Sequence, residues 1–278
     1  MALTKFAGSV AVISGGASGI GLATAGALRE RGGHVVLADI NAEGLLNAQE
    51  ELRRGNAGAQ GEVLTVPVDV TNEAQVRELM KRAEEAFGSI DLVVTCAGIG
   101  RGGPIDTFSS SDMQNLMNIN FMGTYNCVQS ALPAMRRQGS GYFVFLSSVA
   151  GKLGTPMLSG YCASKWAVRG FSAALRAELF GTGIGVTTVY PAWVDTPMVR
   201  QETDDAMRLL NVQIMLTPQQ VASEIVQAVT EGRRDLTLAP NPDIAFVLQL
   251  FNADQDKAED VMGQSMQHQL ANQASQSS

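Results

Sequence analysis

The run Ser9-Val-Ala-Val-Ile-Ser14, Gly15-Gly-Ala-Ser-Gly19-Ile-Gly21 and, after a helical pattern to about Arg31, His34-Val-Val-Leu-Ala-Asp39 decides the fold. Ser9–Ser14 and His34–Asp39 are short, apolar and rich in β-branched residues, which marks strands buried on both faces. Strand, glycine turn, helix and strand within about 30 residues make a βαβ unit of the dinucleotide-binding type. Glycine suits the turn because the backbone there must approach a pyrophosphate closely and offer N–H groups from a helix N-terminus. Ser18 adds a hydroxyl. The glycines stand at 15, 19 and 21, not in the G-x-G-x-x-G spacing, so a tight turn without a ligand remains an alternative on this loop alone. Asp39 ends the second strand, where a carboxylate accepts from the ribose hydroxyls and repels a 2′-phosphate. No Lys or Arg lies in Gly15–Gly21 or at Ile40–Asn41 to hold such a phosphate. The expected cofactor is NAD rather than NADP.

Outward from this unit the alternation of strand and helix continues. A helix at about 42–54 leads to a strand at Val63–Val68 that ends at Asp69-Val70. Thr71 is a good N-cap for a helix over 72–87, with Asn72 and Glu73 in its first turn. Ile90–Thr95 reads as a fourth buried strand followed by Cys96-Ala97-Gly98, and helical segments run from about Asp112 to Arg137. Asn120 sits on an otherwise apolar stretch, where it either satisfies a bent helix backbone or serves the site. Gly141–Leu146 is a fifth strand delivering Ser147-Ser148, Gly185–Tyr190 a sixth, and Asp235–Ala239 a seventh. Thr217-Pro218 opens a helix to Glu231, with proline at the first helical position. In open parallel sheets ligands bind outside the carboxyl ends of the strands. The glycine loop, Asp39, Asp69, Cys96–Gly98 and Ser148 all belong to that one edge.

Tyr161-Cys-Ala-Ser-Lys165 carries the chemistry. In a helix over 160–180, Tyr161 and Lys165 are four apart and project from one face. An ammonium beside a phenol favours the phenolate. A free tyrosine titrates near ~10, so bringing it to neutrality takes on the order of 4 kcal/mol. Ser148 would then donate a hydrogen bond to the substrate oxygen, giving a proton-transfer site for an alcohol or carbonyl. The bland alternative makes Tyr161 a helix-end aromatic and Lys165 a solvated charge.

The bulk numbers narrow the class. The chain has 278 residues, 45% hydrophobic and 17% charged, which suits a soluble protein with a sizeable core. A net charge of −7 argues against nucleic acid or an anionic membrane as main partner. Three cysteines (Cys96, Cys127, Cys162) fit reduced thiols in the cytoplasm. With two histidines and no Cys-x-x-Cys, no nitrogen- or sulfur-ligated metal is expected. The first residues show no signal peptide, and no apolar run reaches ~18 residues.

Taken together, Ser14-Gly15, Gly19-Ile20-Gly21, Asp39, Asp69, Ala97-Gly98, Asn120, Ser148, Tyr161-x-x-x-Lys165 and Thr196 occur in the order of the short-chain dehydrogenase/reductase family, which the chain resembles over roughly residues 5–240. The resemblance implies an α/β fold: a single Rossmann-like, doubly wound domain with a seven-stranded parallel sheet and helices on both faces. It implies Tyr161 as general acid/base, Lys165 as the group that lowers the tyrosine pKa and holds the nicotinamide ribose, and Ser148 as the residue positioning substrate. Asn120 would anchor a water in a proton relay to Lys165. Gly15, Ser18, Gly19, Ile20, Gly21, Asp39, Ile40, Asp69, Val70, Cys96, Ala97, Gly98, Pro191, Val194 and Thr196, with Tyr161 and Lys165, would line the cofactor. Dimers or tetramers are implied as well. Two positions depart from the family: Thr95-Cys96-Ala97-Gly98 stands for Asn-Asn-Ala-Gly, and Pro191-Ala192 for Pro-Gly. A thiol cannot reproduce the two-sided hydrogen bonding of an amide.

The catalytic domain is assigned to residues 1–252, with a substrate lid at about 196–216 and a polar, flexible tail at 253–278. The substrate wall is expected from Leu153, Met157, Leu158, Trp193, Met198, Met207, Leu209, Leu210 and Met215, an adaptable apolar surface suited to a hydrophobic alcohol or ketone. Some of these could instead be core or interface residues. Ile244–Phe251 caps the pocket, packs in a dimer or touches a membrane, the last disfavoured by its length and lack of basic flanks. Two other functions fit the same fold: an NAD-binding regulator without turnover, and an epimerase or dehydratase that recycles bound NAD.

Overall fold

A computed structural model describes residues 2–55, 61–201 and 215–276. Seven strands form one all-parallel sheet: β1 (Val10–Ser14), β2 (His34–Asp39), β3 (Val63–Pro67), β4 (Leu92–Thr95), β5 (Gly141–Leu146), β6 (Ile184–Pro191) and β7 (Asp235–Leu238). Their order is β3-β2-β1-β4-β5-β6-β7, so the direction of winding reverses between β1 and β4. The central strands are buried along their whole length, with every residue of β1, β4, β5 and β6 inaccessible. That is why they read as unbroken apolar runs.

Helices cover both faces of the sheet, and a short helix, α7 (Pro197–Gln201), follows β6. On one side, α1 (Gly19–Arg29), α2 (Ala42–Gly55) and α8 (Pro218–Glu231) bury Ala25, Leu28, Leu45, Leu52, Val221 and Ile225 against Ile13, Leu37, Val94 and Val144. On the other, α3 (Glu73–Phe87), α5 (Gly123–Gln138) and α6 (Ser159–Glu178) bury Val76, Leu79, Val128, Ala131, Val168 and Leu175 against Val12, Val36, Phe143 and Phe145. This is the expected doubly wound Rossmann-like domain, and the crevice at its switch point faces the carboxyl ends of the strands. Among the described residues no helix is long and apolar enough to cross a membrane.

Two local expectations are corrected. The N-cap of α3 is Asn72, whose side chain accepts from the N–H groups of Ala74 and Gln75. Thr71 is engaged elsewhere, its N–H and hydroxyl both donating to Asp69 Oδ1 at 2.9 and 2.7 Å. The helical segments expected from about Asp112 to Arg137 are α4 (Ser110–Leu116), a π-helical turn (Met117–Met122) and α5. The segment taken as a flexible tail contains α10 (Gln255–Gln276), which folds back on α9 (Pro242–Ala253). Ala258, Val261 and Met262 pack with Val247 and Leu153, and this burial holds the first turns of a helix whose remaining sequence is mostly polar. The cap at Thr217 forms as expected, as a capping box with Gln220 and with Pro218 in the first turn.

The correction at α3 has a direct test. Asn72→Ala should lower unfolding stability by about 1 kcal/mol in denaturant titrations. Thr71→Ala should cost less, because the helix N–H groups keep their acceptor.

Candidate active site

The site is assembled where backbones come close. Gly15 has φ of 67°, and a Cβ there would lie 2.6 Å from the backbone nitrogen of Ala97. Only glycine lets the loop after β1 touch the segment after β4. A Cβ on Gly21 would stand 2.2 Å from the Gly15 carbonyl oxygen, so the first turn of α1 is pressed against the same loop. Ser18 is the extended N-cap of α1 without a side-chain cap bond, and no acidic residue occupies the first turn. The positive end of α1 and its N–H groups therefore open onto the crevice, an arrangement that accepts a phosphate. Asp39 sits beside it at the end of β2, accepting from Ala17 N–H at 3.2 Å and Asn41 N–H at 3.0 Å. The residues fit a dinucleotide.

Beyond the loop, Asp69 is oriented by Thr71, and Val70 is gripped by α5. Asn126 Nδ2 donates to the Val70 carbonyl at 2.9 Å, and a Cβ on Gly123 would meet the Val70 side chain at 2.7 Å. Cys96 packs on Gly21, its backbone N–H donating to Ser14 O at 3.0 Å. Burial pushes its thiol up to about 12, with Lys165 opposing, so it stays neutral. Gly19 faces Thr196, which follows Val194 after β6.

Asn120 lies in the π-helical turn, 1% exposed. Its Oδ1 accepts from Ile99 N–H at 2.8 Å, and its Nδ2 donates to Ile99 O and Ser164 Oγ, both at 3.0 Å. It clamps the segment following Gly98 to the helix that carries Tyr161 and Lys165. These partners are a loop backbone and a hydroxyl on another helix, not the bent helix backbone expected as one option, and they stand beside the site: a Cβ on Gly98 would stand 3.1 Å from Asn120 Oδ1 and 3.6 Å from Lys165 Nζ.

Lys165 is 6% exposed, and its Nζ donates to the Leu146 carbonyl at the end of β5 at 3.0 Å. Ser147 Oγ returns a bond to the Lys165 carbonyl at 2.9 Å, locking α6 onto that strand end. Loss of hydration pushes the ammonium down to about 8. The ammonium lies 5.5 Å from the centroid of the Tyr161 ring. Ser148 caps the short 3₁₀ turn after β5, accepting from Ala150 N–H at 3.2 Å and donating to Pro191 O at a long 3.4 Å. Its hydrogen is only weakly committed.

One cleft of about 1230 Å³ is lined by every residue expected of the cofactor and the reaction except Asn120, which stands behind it. Of the expected substrate wall, Leu153, Leu158, Trp193 and Met198 line the cleft, while Met157 packs beside Tyr161 and Met215 is exposed. Met207, Leu209 and Leu210, with most of the expected lid, lie outside the described residues. Sequence reasoning missed Ile119 and the walls supplied by α9 and α10. The apolar run Ile244–Phe251 was the available signal, and pocket capping is the role among its three that the cleft supports.

The short chain dehydrogenase family model matches residues 9–207. The chain belongs to that family. It is an oxidoreductase of the short-chain dehydrogenase/reductase type, whose members use a nicotinamide cofactor. An uncharacterized oxidoreductase of Staphylococcus aureus is 34% identical over 242 residues, 86% of this chain and 100% of its own. A short-chain dehydrogenase/reductase from Burkholderia phymatum, solved in complex with NAD, superposes with a TM-score of 0.80 at 30% identity, covering 91% of this chain and 96% of that one. An actinorhodin polyketide ketoreductase variant, solved with NADPH, gives 0.75 at 29% identity, covering 86% and 98%.

The buried ammonium carries a stability signature. Its folded pKa lies below that of the unfolded chain, so between about 8 and 10.5 the unfolded state holds the extra proton and stability gains with rising pH. At pH 7 the cost of burying the charge is in full force. Lys165→Met should therefore raise the melting temperature of the cofactor-free protein at pH 7, by about 1 to 3 kcal/mol of stability. The advantage should shrink towards pH 10. Thermal unfolding across that range measures it; a variant less stable than wild type at pH 7 contradicts it.

Proposed function

We propose that the protein interconverts a hydrophobic secondary alcohol and its ketone with NAD, using Tyr161 as general acid/base. The observation that carries this reading is the buried Lys165 ammonium facing the Tyr161 ring, with Ser148 and the glycine cradle on the walls of the same cleft. A positive charge this close to the ring favours the phenolate over the phenol. Lys165 supplies that charge below about pH 8.

A bound nicotinamide supplies the hydride acceptor for oxidation and the donor for reduction. In the oxidising direction the Tyr161 oxygen takes the hydroxyl proton of the alcohol; in the reducing direction it returns that proton to the carbonyl oxygen. Ser148 Oγ turns from Pro191 to donate to the same substrate oxygen and fixes it beside the phenol. Asn120 acts by position: it holds Ile99 and Ser164, and with them the distance between the two walls. Its role in a water relay to Lys165 is part of the proposal.

NAD is preferred over NADP because the Asp39 carboxylate is pinned at the loop by two backbone N–H groups, where a 2′-phosphate would meet a fixed negative charge. The apolar lining from Leu153, Leu158, Trp193 and Met198 favours a hydrophobic substrate. We also assign a cytoplasmic homodimer or homotetramer, in keeping with three free thiols and the family's habit.

Tyr161→Phe should lower kcat/KM at least 10²-fold with NADH binding retained. Absorbance of NADH with a ketone panel measures it, and unchanged turnover would remove the phenol from the reaction. Fluorescence titration should give tighter binding of NADH than NADPH, with Asp39→Ala narrowing the gap; a wild-type preference for NADPH reverses the cofactor assignment.

A further inference from the structure

The cleft does not stop at the reacting centre. It continues past Ser148 and Tyr161 to the hairpin of α9 and α10, where Ile244, Phe246, Val247, Val261 and Met262 line it. Its volume of about 1230 Å³ exceeds the roughly 300–1,000 Å³ of ordinary small-molecule sites. The glycine cradle claims one end. The other end, at the hairpin, is mostly apolar, with Asn241, Asp243 and Ser265 as its polar residues.

The hairpin is held in register with that pair. Leu153, two residues past the 3₁₀ turn that Ser148 caps, is 4% exposed and packs with Val247 and Ala258. Phe251 meets Trp166, the neighbour of Lys165 on α6, at 6.2 Å between ring centroids. A wall fixed to both the serine turn and the tyrosine helix sets a defined length between the reacting carbon and the end of the pocket. Among the described residues lining the cleft, Lys165 is the one cation, and Asp243 stands at the hairpin end. Among the described residues there, Asp243 would repel a carboxylate or phosphate on the far end of a substrate.

We infer that the α9–α10 hairpin binds an unbranched, uncharged alkyl chain, so that the substrate is a chain-bearing ketone or alcohol and Val247 and Met262 set the chain length accepted. This rests on the carbonyl chemistry proposed above and names its substrate class. Every methylene taken from water into such a wall should raise kcat/KM about 4-fold until the chain reaches its end.

The test is NADH-dependent reduction of 2-alkanones from pentan-2-one to dodecan-2-one by wild type, Met262→Trp and Val247→Phe. In wild type kcat/KM should climb with chain length and then level off. In each variant the levelling should come at a shorter chain, and the dodecanone-to-pentanone ratio should fall at least 10-fold. NADH binding reports whether each variant is folded, and Met262, being only partly buried, tolerates change where Val247 does not. A flat wild-type profile, or a ratio unmoved in folded Met262→Trp, overturns the hairpin assignment while leaving the carbonyl chemistry standing. Should no alkanone be reduced, the carbonyl reading falls first. The hairpin is then judged by melting of the NADH-bound protein, which dodecan-2-one should raise more than pentan-2-one; equal shifts overturn it.

Discussion

A charged amine kept out of water is the constraint around which this molecule is arranged. Lys165 is 6% exposed, and its partner is a strand-end carbonyl, not a carboxylate. A folded chain gains nothing in stability from such a group; it carries a cost that the rest of the core must offset. The surrounding structure is what keeps it there. Ser147 ties the lysine backbone to β5, Gly151 lets the turn after β5 approach it closely, and Asn120 fixes the opposite wall through Ile99 and Ser164. Strongly displaced titration at the mouth of a sheet is what a proton-transfer centre requires, and a structural ion pair would not be built without its anion.

The two ends of the cleft are made differently. The end at the glycine loop is backbone against backbone, with Gly15 and Gly21 admitting contacts that any side chain would block. Its shape is set by the sheet and allows little adjustment. The hairpin end is side chain against side chain, with isoleucine, phenylalanine, valine and methionine contributed by α9 and α10 and tryptophan, valine and methionine by the segment after β6. Such a surface adapts, and it can change without disturbing the sheet.

Much of this was legible from residue patterns because the strands are fully buried and the turns need glycine. The central runs at 10–14, 92–95 and 141–146 have no polar face to confuse them, and their carboxyl ends gather Asp39, Asp69, Gly98 and Ser148 without further information. The misreadings have local causes. Thr71 looked like a cap, but the Asp69 carboxylate takes its N–H and hydroxyl, and the role passes to Asn72. The π turn at Met117–Met122 shifts hydrogen bonds by one residue, which apolar periodicity does not register. In α10 the apolar positions 258, 261 and 262 have helical spacing, yet three residues in a long polar run are outweighed until Leu153 and Val247 supply a surface to bury them. Asn120 was recognisable as a polar residue in an apolar stretch, and only its partners reveal that it clamps the two walls.

The account turns on Lys165 being an ammonium whose proton is held loosely, next to a phenol that shares the same field. Side-chain ¹⁵N NMR of lysine-labelled protein follows that proton directly, with Lys165→Met assigning the resonance. The cofactor-free protein should show this lysine titrating near 8. A midpoint at the ordinary lysine value of about 10.4 would mean the amine is solvated, and the case for a tuned tyrosine beside it would be lost.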